Sequence, residues 1–420
     1  ANSTGAMAIF VPHPSSPRSV FSAAIMTLVF LAAKSGWTAA LSFSRRTPLF
    51  VLCPKSSFRN PVRLRSSVGD DESISSLARI LFLGTPDVAA ASLRRLHDAG
   101  PSCPIPYEIV GAVTQPPRPA GRKRKLTPSP VHVAADALGI PVLFPEKASD
   151  PAFLDALEST QGDDGDSAAL GPIDLAVTAA YGNYLPRRFL ALPRRGTLNV
   201  HPSLLPRWRG ASPVQRSLEA GDATLGTTVL FTVQKMDAGP LVSQVEIPAT
   251  GDEMAGETLE SLFMEGTEAL LRSIPEVLTG KITMETAKVQ EEEGITHAAM
   301  IGKEEGILRP NVHSAEVAHN KVRAFDMWPG CTLLLNVGES KDEVKVKVGR
   351  TRIVPVDDEL LDMIDLSDNS IVLPKKKGRG LMLQCGDGSV LELLEIQPPT
   401  KKMMDAKSFI NGLKGAALKW

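Results

Sequence analysis

The sequence has few of the features that mark specialised protein classes. Aromatic residues make up 5% of the 420 positions, and the formal net charge is −1. This near-neutral charge gives no global sign of a nucleic-acid-binding protein, so such a site would have to come from local charge. The 43% of hydrophobic and 22% of charged residues exclude a collagen-like or wholly disordered chain. The length suits about two or three globular domains.

Cysteine is also scarce, and the cysteines lie far apart along the chain. The four are Cys53, Cys103, Cys331 and Cys385, and none pairs with another at the spacing of metal ligands. This pattern predicts free thiols in a reducing compartment rather than a disulfide framework. No metal site is predicted from the sequence.

Acidic residues are absent from residues 1–69, which carry eight Lys or Arg and many serines. Such a composition is typical of organelle-targeting segments. The apolar run at 22–33 is too short for a membrane span and fits a signal-peptide core. We predict that residues 1–75 are a mostly disordered, cleaved leader of a nuclear-encoded protein of the mitochondrial matrix or plastid stroma. After its removal we expect no stable membrane association. A tail without an address is the alternative.

Strand and helix patterns alternate between residues 76 and 283. Ile80–Leu83 is an apolar run that ends at Gly84, and Thr85 followed by Pro86 reads as a helix N-cap with proline in the first turn. Similar units recur to residue 280. Alternation of this kind predicts an α/β fold with a mostly parallel, Rossmann-like sheet covered by helices on both faces.

The pattern changes after residue 283. Residues 284–306 are polar and interrupted by glycine, which predicts a linker. From 307 to 420, one short helix is followed by several short strands with glycine turns. In one of them Val344, Val346 and Val348 alternate with lysines, as in a half-exposed strand. These segments predict a small β-barrel or β-sandwich domain.

Asn199 and His201 lie two residues apart at the end of the predicted strand GTLNVHPS. Side chains two apart point to the same face of a strand. The carboxyl ends of parallel strands form the edge where open α/β sheets bind ligands. An amide and an imidazole there are suitable donors to a developing oxyanion. On spacing alone, a hydrogen-bonded histidine at a strand end is the favoured explanation of His201.

The motifs RILFLGTPD, TQPPRPAGRKRKLTPSPV, VTAAYGNYLP, TLNVHPSLLPRWRGASPVQ and VQKMDAGPLV occur in this order, followed by RAFDMWPG. Together they resemble the methionyl-tRNA formyltransferases over about residues 78–420. Members of this family transfer the formyl group of the co-substrate 10-formyltetrahydrofolate to initiator methionyl-tRNA. The resemblance implies an organellar enzyme of translation initiation, an OB-like C-terminal domain that contacts tRNA, no metal, and a monomer as the default state.

The resemblance also implies site residues. The catalytic residues it implies are Asn199, His201 and Asp237, with the aspartate orienting and charging the histidine. Folate-binding residues are expected at Tyr181, Gly182, Ser203, Leu204 and Pro206. The tRNA-binding residues are expected at Arg118, Arg122, Lys123, Arg124, Lys125, Arg207 and Arg209. Five of these cations lie in the proline-flanked loop 116–130, whose charges suit phosphate contacts. Without the resemblance this loop reads as a solvated surface.

One residue departs from the family pattern. Pro202 follows His201 where these enzymes often carry glycine, and a proline there resembles glycinamide ribonucleotide formyltransferase. A transferase acting on a small amine is therefore the first alternative function. The basic loop and the C-terminal domain weigh against it. The second alternative is a formyltransferase-like RNA-binding module without catalysis, against which the complete set of Asn199, His201 and Asp237 argues.

Overall fold

A computed structural model describes residues 77–159, 170–339, 343–413 and 416–420. The predicted leader and Cys53 lie outside these residues. Within them, no helix combines the length and apolar character that a membrane crossing requires.

The first part of the described chain builds an α/β domain. Its elements are β1 (Ala78–Gly84), α1 (Asp87–Ala99), β2 (Tyr107–Val113), β3 (Arg118–Ala120), β4 (Lys125–Thr127), α2 (Pro130–Leu138), β5 (Val142–Leu143), α3 (Pro151–Ser159), β6 (Leu175–Ala179), α4 (Arg187–Leu190), β7 (Thr197–His201), β8 (Arg209–Gly210), α5 (Pro213–Ala220), β9 (Thr224–Phe231), β10 (Leu241–Pro248) and α6 (Ala255–Leu278).

Seven of these strands form one sheet in the order β10-β9-β7-β6-β1-β2-β5. The pairs β6–β7, β1–β6, β1–β2 and β2–β5 are parallel, whereas β9 runs antiparallel to both β7 and β10. Side chains of β1 alternate between two cores: Phe82 packs in one and Leu83 in the other. Both faces of the sheet are therefore covered. The predicted Rossmann-like, mostly parallel sheet is confirmed.

The start of α1 differs from the prediction. The helix begins at Asp87 with Pro86 as its N-cap, and no side chain caps it. The hydroxyl of Thr85 instead donates to the backbone carbonyl of Tyr181, 2.9 Å away. The predicted N-cap role of Thr85 is wrong because its hydroxyl bonds to the loop after β6. The turn after β1 is thereby tied to the turn after β6.

The second part of the chain comprises the predicted linker and a β-barrel. Its elements are β11 (His297–Ala298), α7 (Ala315–Ala324), β12 (Cys331–Val337), β13 (Glu343–Val354), β14 (Ser370–Val372), β15 (Leu381–Gln384), β16 (Val390–Gln397), β17 (Met404–Asp405), α8 (Ala406–Gly412) and β18 (Leu418–Lys419). In the described residues the ring runs β13-β12-β18-β14-β15-β16 and closes through antiparallel pairing of β13 with β16. Of the two predicted architectures, a β-barrel or a β-sandwich, the structure has the barrel, and it is closed.

The barrel and the α/β domain share a hydrophobic core. Val346 and Val348 of β13 point inward, and Lys345 and Lys347 point to solvent. The inward side chains belong to one buried cluster with α7 and with Leu218 of α5. Burial of shared apolar surface stabilises the contact between the two domains. It also fixes where the barrel lies relative to the sheet.

Candidate active site

Asn199 and His201 lie at the carboxyl end of β7, as predicted. Parallel β6 places Thr178 beside Asn199, and antiparallel β9 places Thr228 beside His201. The hydroxyl of Thr178 donates to Oδ1 of Asn199 at 2.7 Å. This bond occupies the acceptor end of the carboxamide. The Nδ2 group is thus the end of Asn199 that can donate to a ligand at the sheet edge.

The strand ends abruptly after His201. The backbone N–H of Ser203 donates to the carbonyl of His201 at 2.8 Å, which closes a three-residue turn around Pro202. Proline fixes φ near −65°, a value close to that of the central residue of an inverse γ-turn. Pro202 therefore suits this turn. The residue that departs from the family pattern has a local structural explanation that requires no change of substrate.

The ring of His201 is 4% exposed and has two polar neighbours. Its Nε2 lies 2.9 Å from the backbone carbonyl of Trp208. A carbonyl only accepts, so Nε2 carries a hydrogen in this bond. On the other side, Nδ1 lies 3.8 Å from Oδ2 of Asp237. Nδ1 is therefore the ring nitrogen left to exchange a proton, and a carboxylate lies beside it.

Asp237 reaches this position through an uncommon backbone conformation. Its φ is +48°, in the left-handed region, where residues other than glycine are infrequent. Its Oδ2 accepts from the backbone N–H of Gly210 at 2.9 Å. The left-handed turn between β9 and β10 therefore aims the carboxylate at the loop after β7. The structure brings the predicted trio of Asn199, His201 and Asp237 together at one sheet edge.

The residues predicted to bind folate fall into two groups. Tyr181 and Gly182 follow β6 at the same edge as Asn199. Tyr181 is buried, and burial raises the pKa of its phenol. Gly182 has φ of +80°, and a Cβ there would lie 2.8 Å from Nε2 of Gln115. Any larger residue at 182 would therefore meet both strain and a close contact.

Ser203, Leu204 and Pro206 lie in the loop after β7. Ser203 is buried and donates to the carbonyl of Arg207 at 2.8 Å. Ser203 and Leu204 line a cavity of about 320 Å³ that extends to Leu262 of α6. The residues that line this cavity do not include the catalytic trio or Pro206 among the described residues.

The basic loop forms a hairpin of β3 and β4, which the sequence did not reveal. All five of its predicted tRNA-binding cations are exposed: Arg118, Arg122, Lys123, Arg124 and Lys125. None of them forms a salt bridge to any described residue, and the guanidinium of Arg118 donates a hydrogen bond of 3.5 Å to Oε1 of Gln115. The hairpin follows β2, whose carboxyl end lies on the edge that carries His201. Unpaired charge is therefore available there.

Arg207 and Arg209 are placed differently from the hairpin cations. Arg207 bonds to both oxygens of Asp222, at 3.0 and 2.6 Å, and lies over the ring of Trp208. Arg209 is 6% exposed, and two of its nitrogens donate to Oε1 of Gln290. The tRNA-binding role predicted for Arg209 does not fit this position, because its guanidinium is buried against the predicted linker.

The described ranges offer no cluster suited to a metal ion. No group of three or more His, Cys, Asp or Glu side chains there is arranged to bind an ion. Cys103, Cys331 and Cys385 are free thiols. Burial raises the pKa of Cys331 to about 12 and that of Cys385 to about 11, so neither is a reactive thiolate at neutral pH.

Comparison with known families and proteins identifies relatives of this chain. Residues 78–274 match the formyl transferase family, and residues 300–414 match the formyl transferase C-terminal domain. The methionyl-tRNA formyltransferase of Herpetosiphon aurantiacus is 37% identical over 338 residues, which cover 80% of this chain and 98% of the relative. That of Bacillus subtilis is 35% identical over 336 residues, 80% of this chain and 95% of the relative.

The chain belongs to the methionyl-tRNA formyltransferase family. It is an enzyme that transfers formyl groups. Because the similarity covers nearly the full length of these relatives, it includes the C-terminal domain and favours this family over the small-amine alternative.

Solved structures with the same fold come from more distant formyltransferases. The sugar 3N-formyl transferase WlaRD has a TM-score of 0.52 and 12% identity, covering 78% of this chain and all of that one. The N-formyltransferase from Helicobacter canadensis has a TM-score of 0.51 and 13% identity, covering 77% of this chain and all of that one. At this identity the likeness concerns the fold alone.

Proposed function

We propose that this methionyl-tRNA formyltransferase takes its formyl group from 10-formyltetrahydrofolate and transfers it to the amino group of initiator methionyl-tRNA. The observation that carries the proposal is the gathering of Asn199, His201 and Asp237 at the carboxyl edge of the sheet, in a chain that belongs to this family. The two solved structures named above were determined with folate compounds, namely 5-N-formyl-tetrahydrofolate and folinic acid.

The reaction forms a bond from the amino nitrogen to the formyl carbon and breaks the bond from that carbon to N10 of the folate. One proton moves from the amine to the departing N10. The formyl oxygen becomes an oxyanion in between, which favours fixed donors beside it. Nδ2 of Asn199 supplies one donor, since Thr178 holds the other end of the amide. His201, with Asp237 beside Nδ1, supplies the second donor to the formyl oxygen. It also carries the proton from the amine to N10 of the folate.

The basic hairpin is the proposed contact for the tRNA acceptor end. Its exposed, unpaired cations lie on the catalytic edge, where phosphate groups can replace their counterions. On the barrel, Lys345 and Lys347 of β13 are exposed and offer further positive charge. Arg379, by contrast, is bonded to Asp358 and Glu392. Its charge is neutralised by these two carboxylates, so it contributes no free cation.

We also propose that the enzyme acts in an organelle, either the mitochondrial matrix or the plastid stroma. The support is the composition of residues 1–69, which have no acids and eight cations. A fusion of residues 1–75 to the N-terminus of a fluorescent protein tests this proposal. Import with cleavage near that position is expected, and a cytosolic, uncleaved fusion would contradict it.

A formyl-transfer assay with three acceptors tests the function. With 10-formyltetrahydrofolate supplied, we expect transfer to initiator methionyl-tRNA and little to elongator methionyl-tRNA or glycinamide ribonucleotide. Transfer mainly to glycinamide ribonucleotide would overturn the proposal in favour of a small-amine enzyme. A folded chain that binds tRNA and transfers nothing would favour the RNA-binding alternative.

A further inference from the structure

The predicted linker does more than join the two domains, because it lies against the catalytic loops. Within it, Lys288 exchanges two backbone hydrogen bonds with Leu241, the first residue of β10. Nine residues later, β11 pairs in parallel with β8 in the loop after β7. The backbone N–H of Trp208 also donates to the hydroxyl of Thr296 at 2.8 Å. The linker therefore holds both loops that shape the site around His201.

Gln290 lies between these two anchored stretches and contacts both loops through one side chain. Its Oε1 accepts from Nε and Nη2 of Arg209, at 3.0 and 2.6 Å. Its Nε2 donates to the carbonyls of Asp237 and Gly239, both at 2.8 Å. The side chain is 8% exposed, so these bonds are shielded from water.

The bonds from Nε2 act on the turn that carries the catalytic carboxylate. Asp237 has φ of +48°, and strained backbone of this kind persists only where surrounding groups hold it. The carboxylate is fixed to Gly210, whose strand β8 pairs with the linker, and the carbonyl of Asp237 is fixed to Gln290. The linker segment thus holds the backbone carbonyl of Asp237 directly and its carboxylate through β8.

We infer that Gln290 is a positioning residue for the formyl transfer, acting through Asp237. The inference rests on the proposed function, in which Asp237 charges and orients His201. Only a carboxamide both accepts from the guanidinium of Arg209 and donates to the two carbonyls of the turn. Glutamate can accept but cannot donate when ionised. Alanine does neither.

Gln290→Glu is the deciding variant. It is nearly isosteric and keeps an acceptor for buried Arg209, so the fold should survive, while the donor to the Asp237 turn is lost. We expect kcat to fall roughly ten- to hundredfold, as small misplacements of catalytic groups do, with the KM of both substrates nearly unchanged. Glu292→Ala is the matched control, because Glu292 is exposed in the same segment. It should behave as wild type.

A double-mutant cycle separates positioning from general stabilisation. If Gln290 acts through Asp237, Gln290→Glu should cost almost nothing further in an Asp237→Asn background. Amide hydrogen exchange in residues 236–239 should be faster in Gln290→Glu than in Glu292→Ala. Wild-type kcat in Gln290→Glu would overturn the inference. An equal loss in the Asp237→Asn background would overturn it as well.

Failure of the proposed function gives a different result. A wild-type chain that formylates no methionyl-tRNA contradicts the function. Hydrogen exchange still decides in that case whether Gln290 holds the turn of Asp237: faster exchange at the turn supports this, and unchanged exchange overturns it.

Discussion

The catalytic edge and the basic hairpin lie on the same side of one sheet and are built in opposite ways. Both ring nitrogens of His201 have a fixed neighbour, Trp208 at Nε2 and Asp237 at Nδ1, and the Asp237 carboxylate accepts from Gly210. In the hairpin five exposed cations form no salt bridge to described residues. The first region is organised for geometry, and its groups are already oriented. The second offers charge without fixed orientation, which suits a polyanion. Substitutions around His201 should therefore lower kcat, whereas substitutions in the hairpin should weaken tRNA binding.

Asp237→Asn should give the largest effect. The variant keeps a polar side chain at the Gly210 amide but loses the charge beside His201. We expect kcat to fall by about 10³-fold, the scale of losing one oriented electrostatic group, with tRNA binding nearly unchanged. Single-turnover kinetics and a tRNA-binding titration measure the two quantities. Wild-type kcat would remove Asp237 from the site.

Glu392→Gln extends the comparison to a buried charge network in the barrel. Glu392 is fully buried and accepts from Arg352 at 2.9 Å, Arg379 at 3.1 Å and the backbone of Gly380. Removing one partner from a buried ionic network should lower the free energy of unfolding by about 3 kcal/mol. Chemical denaturation measures this loss. Glu395→Gln in the same strand is the control, because Glu395 forms no salt bridge within the described residues.

The same variant has a pH signature. Burial acts to raise the pKa of Glu392, but hydrogen bonds from Arg352 and Gly380 and both guanidinium charges outweigh it, so the pKa is lowered. A lowered folded pKa stabilises the protein above the ordinary glutamate range, and this stability is lost as pH falls through the folded pKa. Below about pH 4.5, wild type should therefore lose its stability advantage over Glu392→Gln. An advantage independent of pH would contradict the network's ionic character.

Alanine at all five hairpin cations should act on binding alone. We expect KM for tRNA to rise roughly ten- to hundredfold at low salt, with kcat at saturating tRNA little changed. The slope of the logarithm of tRNA affinity against the logarithm of salt concentration should decrease in magnitude by up to about 4. Leu126→Ser, in the same hairpin, removes no charge and should leave the slope as it is. An unchanged slope in the five-cation variant would show that the hairpin does not contact phosphates.

Gly182→Ala should give the smallest effect. A Cβ at φ of +80° is strained and meets Nε2 of Gln115 at 2.8 Å. We expect KM for the folate to rise about fivefold, corresponding to about 1 kcal/mol of local strain. Gly121→Ala is matched for backbone strain, with φ of +68°, but a Cβ there meets open space. Equal folate KM values in the two variants would separate Gly182 from the folate site.

The sequence was sufficient for the features that follow from local pattern. Alternating segments predicted the sheet, and the spacing of Asn199 and His201 placed them on one strand face at its ligand-binding edge. It was insufficient where long-range contacts decide. Thr85 has the pattern of an N-cap, yet its hydroxyl bonds to Tyr181, 96 residues away.

Arg209 and Gln290 show the same limit. Arginine in a loop after a catalytic strand reads as an exposed cation, and glutamine in a polar linker reads as solvated. In the structure both residues are buried, and their side chains are hydrogen-bonded to each other although they lie 81 positions apart in the sequence. The prediction of Asp237 as a catalytic residue also came only from the family resemblance, because an aspartate before alanine and glycine otherwise indicates only a turn.

The most direct test is the rate of formyl transfer from 10-formyltetrahydrofolate by wild type and Asp237→Asn, with initiator methionyl-tRNA and glycinamide ribonucleotide as competing acceptors. Our prediction is transfer to the tRNA in wild type and about a 10³-fold lower rate in the variant. Transfer that favours the ribonucleotide, or survives intact in Asp237→Asn, would contradict it.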